Sequence, residues 1–233
     1  SFLLGEVWED ATTKVAYSQR RRYLLGHELH GVMNYPFRTA LIAYLRGGDA
    51  DDFRETLEAL RENYRRFFAV LGLDEHRTVL SQQTHTANIR RVTAADAGKG
   101  VVRPRDYTDV DALITNEAAL PLTVFSADCG TVLLYDPVRQ AVGAAHAGWR
   151  GCAAGIVEKT VQAMEEAYGS RPADLLAALG PCIGRCCFET DGDVPDAMRA
   201  ALGAAAEPFI ERRGEKFFVD NKGLCALWLK NCG

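Results

Sequence analysis

The spacing of apolar positions predicts one long amphipathic helix in the first third of the chain. Between Asp51 and Leu71 the apolar side chains recur at steps of three and four residues, which places them on one face of a helix. These apolar residues are Phe53, Leu57, Leu60, Tyr64, Phe67, Phe68 and Leu71. The segment from Asp49 to Asp51 can cap the start of this helix, and Gly72 is expected to end it.

After this helix the pattern changes to short runs rich in β-branched residues, which are typical of strands. We expect strands at residues 78–80, 88–92, 111–115, 120–126, 132–135, 141–145, 175–179 and 216–219. A second amphipathic helix is expected from Gly151 to Gly169. Its apolar face carries Ile156, Val157, Thr160, Val161, Met164 and Ala167. Two more helices, over residues 194–206 and 223–230, complete a mixed α/β (α+β) protein whose mixed β-sheets are covered by helices.

Composition indicates one ordinary globular domain. The 233 residues contain no fixed-period repeat, low-complexity tract or Pro/Gly/Ser-rich linker, so residues 1–233 are expected to form a single domain. A formal net charge of -4 and a pI near 5.8 argue against a nucleic-acid-binding surface. The basic cluster at residues 20–22 is then interpreted as a solvated patch.

The chain is expected to be cytoplasmic, with no membrane partner, as a monomer or homodimer. No apolar run approaches the roughly 20 residues that span a bilayer, and Glu6 comes too early for a secretory signal. Seven cysteines, an odd number in a chain without an export signal, favour reduced thiols or metal ligands over a complete disulfide framework.

Three predicted strand ends carry residues suited to metal binding: His85, Cys129 and His146. Two imidazoles and a thiolate suit a borderline-soft transition metal such as zinc, and three protein ligands leave a fourth position open for water or substrate. Each residue also has an ordinary alternative, because a lone cysteine or histidine is commonly a core residue. A second site near Cys182, Cys186 and Cys187 is conceivable.

The context of His146 favours function over packing. Its strand turns through Gly148 and opens a helix with Arg150 and Gly151 in the first turn. Free N–H groups at a helix start and a guanidinium together form a site suited to phosphate. The alternative is that Arg150 pairs with an acid and that Trp149 only packs.

Five stretches of the sequence form a specific set. They are QTH at 83–85, DALIT at 111–115, FSADCGTVLLYDP at 125–137, AAHAGWRG at 144–151 and GPCIGRCCFE at 180–189. In this order they closely resemble the laccase-domain family, also called multicopper polyphenol oxidoreductases and purine nucleoside phosphorylases. The resemblance covers roughly residues 50–220 and implies the laccase-domain, CNF-like or YfiH-like, fold.

The resemblance also implies a function. It places Zn²⁺ on the two histidines and Cys129, with phosphorolysis of adenosine, inosine, guanosine or methylthioadenosine and with adenosine deamination. Purine nucleoside and phosphate are the implied partners. Asp128 and Arg150 are then candidate catalytic residues, and Gln83, Arg150 and Gly151 are candidate phosphate or substrate ligands. Asp128 is equally well interpreted as a structural turn acid or as an acceptor for a ligand imidazole.

The sequence departs from the family pattern in two places. The family's Gly-rich and Ser-Leu-Asn segments have only faint counterparts at residues 17–20 and 33–35, and the final Ser-His-Arg strand is expected to be missing after Gly233.

Copper-dependent polyphenol oxidation is the runner-up function. A four-copper oxidase needs on the order of ten imidazoles, whereas the chain has five histidines. A non-enzymatic role, in which the metal stabilises the fold, is the third candidate function.

Overall fold

A computed structural model describes residues 45–233, with only the backbone of Phe53 and Leu60, and the backbone of four short strands nearer the amino terminus. These strands are β1 (Leu4–Gly5), β2 (Val15–Ala16), β3 (Gln19–Arg20) and β4 (Gly31–Val32). β1 pairs with β4 in parallel, and β2 pairs with β3 antiparallel. The side chains of the basic cluster and the faint family counterparts lie outside the described residues. Contacts divide the chain into two compact units, residues 1–75 and 76–233, and the expected single domain stays a prediction.

The structure confirms the long helix predicted for the first unit. It runs over Ala50–Val70, and the Asp49 side chain caps it by accepting a hydrogen bond from the Asp51 N–H at 2.6 Å. Gly72, with φ of +67°, follows its end. A left-handed backbone of this kind stops a helix and is adopted most easily by glycine.

The second unit is built around a five-stranded mixed sheet in the order β11-β9-β10-β7-β6. Its strands are β6 (Ile89–Arg91), β7 (Ala112–Thr115), β9 (Gly130–Asp136), β10 (Ala141–Ala147) and β11 (Leu176–Leu179). β6 and β7 are parallel, and the other neighbours are antiparallel. Along β9, Val132 and Leu134 are buried while Leu133 and Tyr135 are exposed. This alternation is expected of a strand with one covered face.

Two smaller sheets complete the strands of this unit. β5 (Val79–Leu80) pairs in parallel with β8 (Leu122–Thr123). The strands β12 (Glu189–Thr190), β13 (Ile210–Arg213) and β14 (Lys216–Val219) form an antiparallel sheet in the order β12-β14-β13. The mixed α/β class predicted from the sequence is confirmed.

Four α-helices pack around the core of the second unit: Trp149–Ala153, Ile156–Tyr168, Asp193–Leu202 and Asn221–Cys232. The helix Ile156–Tyr168 buries five of the six residues predicted for its inner face. It lies so close to β10 that a Cβ added at Gly143 would be 3.1 Å from the Met164 sulfur. Among the described helices, none combines the length and the apolar character needed to cross a membrane. The expected cytoplasmic location stays a prediction.

Two predicted helices differ from the structure at glycines. The helix expected from Gly151 begins at Trp149 and is interrupted, because Gly155 has φ of +74° and opens a second helix. The helix expected over residues 194–206 ends at Leu202, because Gly203 has φ of +60°. A 3-10 helix, Gly203–Phe209, continues the chain.

The remaining differences concern short elements. The run at residues 120–126 forms only the two-residue β8, while β12 and β13 were not predicted. Two further 3-10 turns, Ala94–Asp96 and Pro172–Asp174, occupy segments between strands.

Candidate metal centre

A hairpin brings Cys129 and His146 together. Cys129 directly precedes β9 and His146 is the penultimate residue of β10, where it lies opposite Thr131. Gly130 lies opposite Ala147, and a Cβ at Gly130 would be 3.1 Å from the Ala147 carbonyl oxygen. The hairpin register therefore places the two side chains at the same end of the sheet.

The third residue, His85, lies on a loop with an unusual backbone. Its φ of +64° is in the left-handed region, which non-glycine residues rarely adopt. The buried carboxylate of Asp111 holds this conformation, because it accepts hydrogen bonds from three consecutive N–H groups: Thr84 at 3.1 Å, His85 at 3.0 Å and Thr86 at 2.9 Å. The Thr86 hydroxyl donates to the same carboxylate at 2.8 Å.

The three predicted ligands converge on one point. One ligand atom from each of His85, Cys129 and His146 lies within 4.8 Å of the others. Cys129 Sγ is 3.8 Å from His85 Nε2, and the two imidazole rings are 4.9 Å apart at an interplanar angle of 80°. His85 is exposed, Cys129 is half-buried and His146 is buried, so the cluster opens to solvent on one side.

Asp111 also orients His146. Its Oδ1 is 2.8 Å from His146 Nδ1, and the His146 backbone N–H donates to the Asp111 carbonyl at 2.8 Å. An ionised carboxylate only accepts, so we assign the proton to Nδ1, which leaves the Nε2 lone pair for a metal. Carboxylate–histidine pairs of this kind are the usual support of metal-binding imidazoles.

Burial and charge set the protonation of the cluster. Burial lowers the pKa of His146, and this effect outweighs the opposing effect of Asp111. The lowered pKa favours the neutral imidazole, which is the form that binds metals. Burial raises the pKa of Asp111, but hydrogen bonds from His146, Thr84 and Thr86 together hold that pKa below its ordinary value. Burial, followed by the charges of Asp128 and Asp111, raises the pKa of Cys129. A bound cation would offset this effect by stabilising the thiolate.

The space between the three ligands depends on Gly148. A Cβ at this position would lie 2.9 Å from His85 Cδ2, 3.0 Å from Cys129 Sγ and 3.5 Å from His146 Cε1. Even a methyl group would therefore press on His85 and Cys129, and it would touch His146 at ordinary van der Waals distance. The absent side chain, the two nitrogen donors and the one sulfur donor together fit a single transition-metal ion.

The described residues contain no other group of three potential metal ligands from histidine, cysteine, aspartate or glutamate. The conceivable second site thus does not assemble there as a three-ligand cluster. Cys186 and Cys187 contact each other instead, with their sulfur atoms 3.1 Å apart.

Arg150 and Gly151 lie beside the cluster in different environments. The Arg150 side chain is exposed and its guanidinium carbon stacks 4.2 Å from the Trp149 ring centre. None of the ion pairs among residues 45–233 involves Arg150, so the alternative of an acidic partner finds no support within that range. Gly151 is buried, and its Cβ would be 2.9 Å from the Thr86 carbonyl oxygen. Close packing on the His85 loop therefore requires glycine here.

Gln83 and Asp128 lie on the loops that carry His85 and Cys129. Gln83 donates from Nε2 to the Phe125 carbonyl at 2.7 Å, and its Oε1 accepts from the Phe125 N–H at 2.6 Å and the Ser81 hydroxyl at 2.7 Å. Its amide thereby joins the two ligand-bearing loops, and its predicted role in substrate binding stays a prediction. Asp128 is exposed, and its carbonyl accepts from the Ile183 N–H at 3.0 Å.

Sequence reasoning missed Asp111 as a site residue. It opens the DALIT stretch and was interpreted only as the start of a strand. A signal was available, because an acid at the edge of an otherwise apolar, fully buried run is unusual and needs buried partners. The relative exposure of Asp111 is 0%.

The sequence of this chain matches a protein family and several named proteins. The family model described as "Multi-copper polyphenol oxidoreductase laccase" matches residues 42–233. A protein of Bacillus subtilis (strain 168) named "Purine nucleoside phosphorylase YlmD" is 36% identical over 159 residues, which are 66% of this chain and 56% of that protein. "Purine nucleoside phosphorylase YfiH" of Escherichia coli (strain K12) is 33% identical over 174 residues, covering 75% of this chain and 66% of that protein.

Solved structures agree with the sequence matches. The crystal structure of Bacillus licheniformis hypothetical protein YfiH has a TM-score of 0.71 and 34% identity, covering 74% of this chain and 66% of that one. The chain spans between 29% and 66% of the length of such curated relatives. With the family model matching most of its length and a shared fold, this chain belongs to the multi-copper polyphenol oxidoreductase laccase family.

Proposed function

We propose that this chain is the zinc-binding part of a purine nucleoside phosphorylase of broad specificity, acting on adenosine, inosine, guanosine and methylthioadenosine, which also deaminates adenosine. The observation that carries the proposal is the His85–Cys129–His146 cluster, whose ligand atoms lie within 4.8 Å of one another. The names of the relatives supply the purine nucleoside and phosphate as substrates.

The donor set supports one zinc ion rather than a multi-copper centre. Three protein ligands with one exposed side leave room for a further ligand, as in catalytic zinc sites. When bound, zinc supplies a positive charge that polarises substrate oxygen and lowers the pKa of water. The whole sequence has five histidines, too few for a four-copper oxidase, which needs on the order of ten. Copper in the same three-ligand site is the competing assignment.

The residues around the cluster have separable tasks. Arg150 presents an exposed guanidinium, whose central carbon lies 4.2 Å from the Trp149 ring centre and which can bind phosphate through two parallel hydrogen bonds. The exposed carboxylate of Asp128 stands next to Cys129 and can carry a proton between substrate and solvent. Asp111 keeps the proton of His146 on Nδ1 and so holds that imidazole in its metal-binding tautomer.

The test follows hypoxanthine release from inosine and phosphate, with ammonia release from adenosine without phosphate measured in parallel. We expect zinc-loaded protein to release hypoxanthine and Cys129→Ala to lose both activity and zinc. Cys186→Ala, a change at another accessible cysteine, is the matched control and should keep both.

Two results would contradict the proposal. One is equal product formation by native protein and Cys129→Ala. The other is stoichiometric copper, in protein produced with both metals available, accompanied by oxygen uptake on phenols and no hypoxanthine. Ammonia without hypoxanthine would reject phosphorolysis and retain deamination.

A further inference from the structure

Cys186 and Cys187 form a pair of thiols outside the metal centre. Both side chains are exposed and lie in the turn that leads to β12. The turn is closed by hydrogen bonds from the N–H groups of Cys187 and Phe188 to the Gly184 carbonyl, at 2.9 and 3.0 Å. This turn presents both sulfur atoms on the same side, 3.1 Å apart.

That separation is short enough for the two sulfur atoms to bond with a small movement. A disulfide bond is about 2.05 Å long, so the atoms need to approach by about 1 Å. Both side chains point into solvent, and such a movement displaces no core residue. The pair therefore has the access and the proximity that thiol–disulfide chemistry requires.

The contact between the two thiols affects the protonation of Cys187. The hydrogen bond to Cys186 is the largest cause that raises the pKa of Cys187, so Cys187 keeps its proton longer.

We propose that Cys186 and Cys187 are a dithiol site that exchanges with low-molecular-weight disulfides of the glutathione type. The Cys186 thiolate attacks one sulfur of the external disulfide, forming a mixed disulfide and releasing one thiolate. Cys187 Sγ then loses its proton to solvent and attacks the Cys186 sulfur, which expels the second thiolate. One external disulfide is reduced to two thiols while the two cysteines are oxidised to one disulfide.

The oxidised form should be readily reversed. The Cα atoms of adjacent residues are about 3.8 Å apart, whereas disulfides usually join Cα atoms about 4.4–6.8 Å apart. A bond closed over such a short span is under strain, and strained disulfides are reduced more easily than structural ones. We therefore expect reduced glutathione to restore both thiols.

A second thiol pair in the same molecule provides an internal control. The sulfurs of Cys152 and Cys225 are 3.8 Å apart, and the relative exposures of these residues are 0% and 1%. Proximity is similar in the two pairs, but only the Cys186–Cys187 pair is accessible to a dissolved disulfide. We expect the buried pair to stay reduced in folded protein.

The experiment treats the native protein with glutathione disulfide, quenches it with acid and maps the cysteines by tryptic mass spectrometry. Cleavage after Arg185 and Arg199 yields the peptide 186–199, in which Cys186 and Cys187 are the only cysteines. We expect this peptide to lose two hydrogen atoms and to regain them with reduced glutathione. In Cys187→Ser the same peptide should instead carry one glutathione on Cys186.

Two outcomes would overturn the proposal, and both are measured on the unmutated chain. In the first, the peptide 186–199 stays reduced while another cysteine of the folded protein reacts. In the second, it accumulates glutathione without closing to the internal disulfide. Both outcomes are judged by the state of the peptide 186–199, which contains no proposed metal ligand, so this test is separate from that of the proposed function.

Discussion

The replacement Asp111→Asn tests how the metal centre is held. Asp111 is fully buried and its carboxylate faces five donors: the N–H groups of residues 84–86, the Thr86 hydroxyl and His146 Nδ1. Asparagine has nearly the same shape but replaces one acceptor oxygen by an N–H₂ group. No orientation of the amide can accept from all five donors.

Each orientation of the asparagine amide loses a different set of hydrogen bonds. With its N–H₂ group in place of Oδ2, the amide faces the N–H groups of Thr84 and Thr86, and both lose their acceptor. With N–H₂ in place of Oδ1, it faces the His85 N–H and His146 Nδ1. His146 must then move its proton to Nε2, which removes the lone pair that binds metal.

Either orientation leaves one or two part-buried donors unsatisfied. At about 1–3 kcal/mol for each such group, the expected loss in free energy of unfolding is about 1–6 kcal/mol. Because the carboxylate positions both histidines, we expect zinc affinity to fall by about 10–100-fold. Chelator competition measures the affinity, urea unfolding of the metal-free protein measures the stability, and ¹⁵N NMR of His146 reports the tautomer.

Asp109→Asn is the matched control. The exposed side chain of Asp109 accepts one hydrogen bond from the same loop, from the Thr84 hydroxyl at 2.8 Å. The other contacts of Asp109 with this loop use its backbone carbonyl, which the substitution keeps. Its φ of +55° is one that asparagine tolerates well. We expect a stability change within about 0.5 kcal/mol. Unchanged zinc affinity and tautomer in Asp111→Asn, or equal losses in both variants, would refute the reasoning.

Three further predictions follow from described contacts. Gly148→Ala should weaken zinc binding at least about tenfold, since its Cβ would press on the ligands; calorimetry with zinc checks this. Gly192→Ala, where the nearest atom is 3.7 Å away, is the control and should bind zinc normally. Gln83→Ala should lose about 1–3 kcal/mol of stability in urea; a raised KM at unchanged stability would instead indicate substrate binding. Burial raises the pKa of Asp96, but hydrogen bonds, led by Lys99, lower it from 3.8 to about 2. The contribution of the Asp96 carboxylate to stability should therefore be complete above pH 4 and disappear as the pH falls towards 2. Acid unfolding of Asp96→Asn should lack that loss of stability. Identical acid-unfolding profiles of the native protein and this variant would contradict the pairing with Lys99.

The sequence contained enough to predict the candidate metal ligands but not the residue that supports them. His85, Cys129 and His146 are chemically conspicuous residues at strand ends, and the structure brings their ligand atoms together. The role of Asp111 depends on contacts with residues 25 to 35 positions away along the chain. Periodicity describes which face a residue occupies and carries no information about such distant partners.

The fold was predictable where local patterns were strong. Long elements such as the helix Ala50–Val70 and the strands β9 and β10 follow from their apolar spacing. Short strands such as β12 and β13 depend on tertiary pairing, because two to four residues carry little intrinsic preference. The exact helix ends depended on left-handed glycines, and a glycine in the sequence does not reveal its φ angle.

The hairpin that carries two of the ligands has a consequence for the order of folding. β9 and β10 are joined by a short connection, and hairpins of this kind form within about 1–10 μs. Cys129 and His146 therefore meet early, as a two-ligand half-site. The His85 loop closes over a longer stretch of chain, because its N–H group must reach a carboxylate 26 residues away. We expect tight metal capture to be a late folding event, so that refolding with a chelator leaves the rate of sheet formation unchanged.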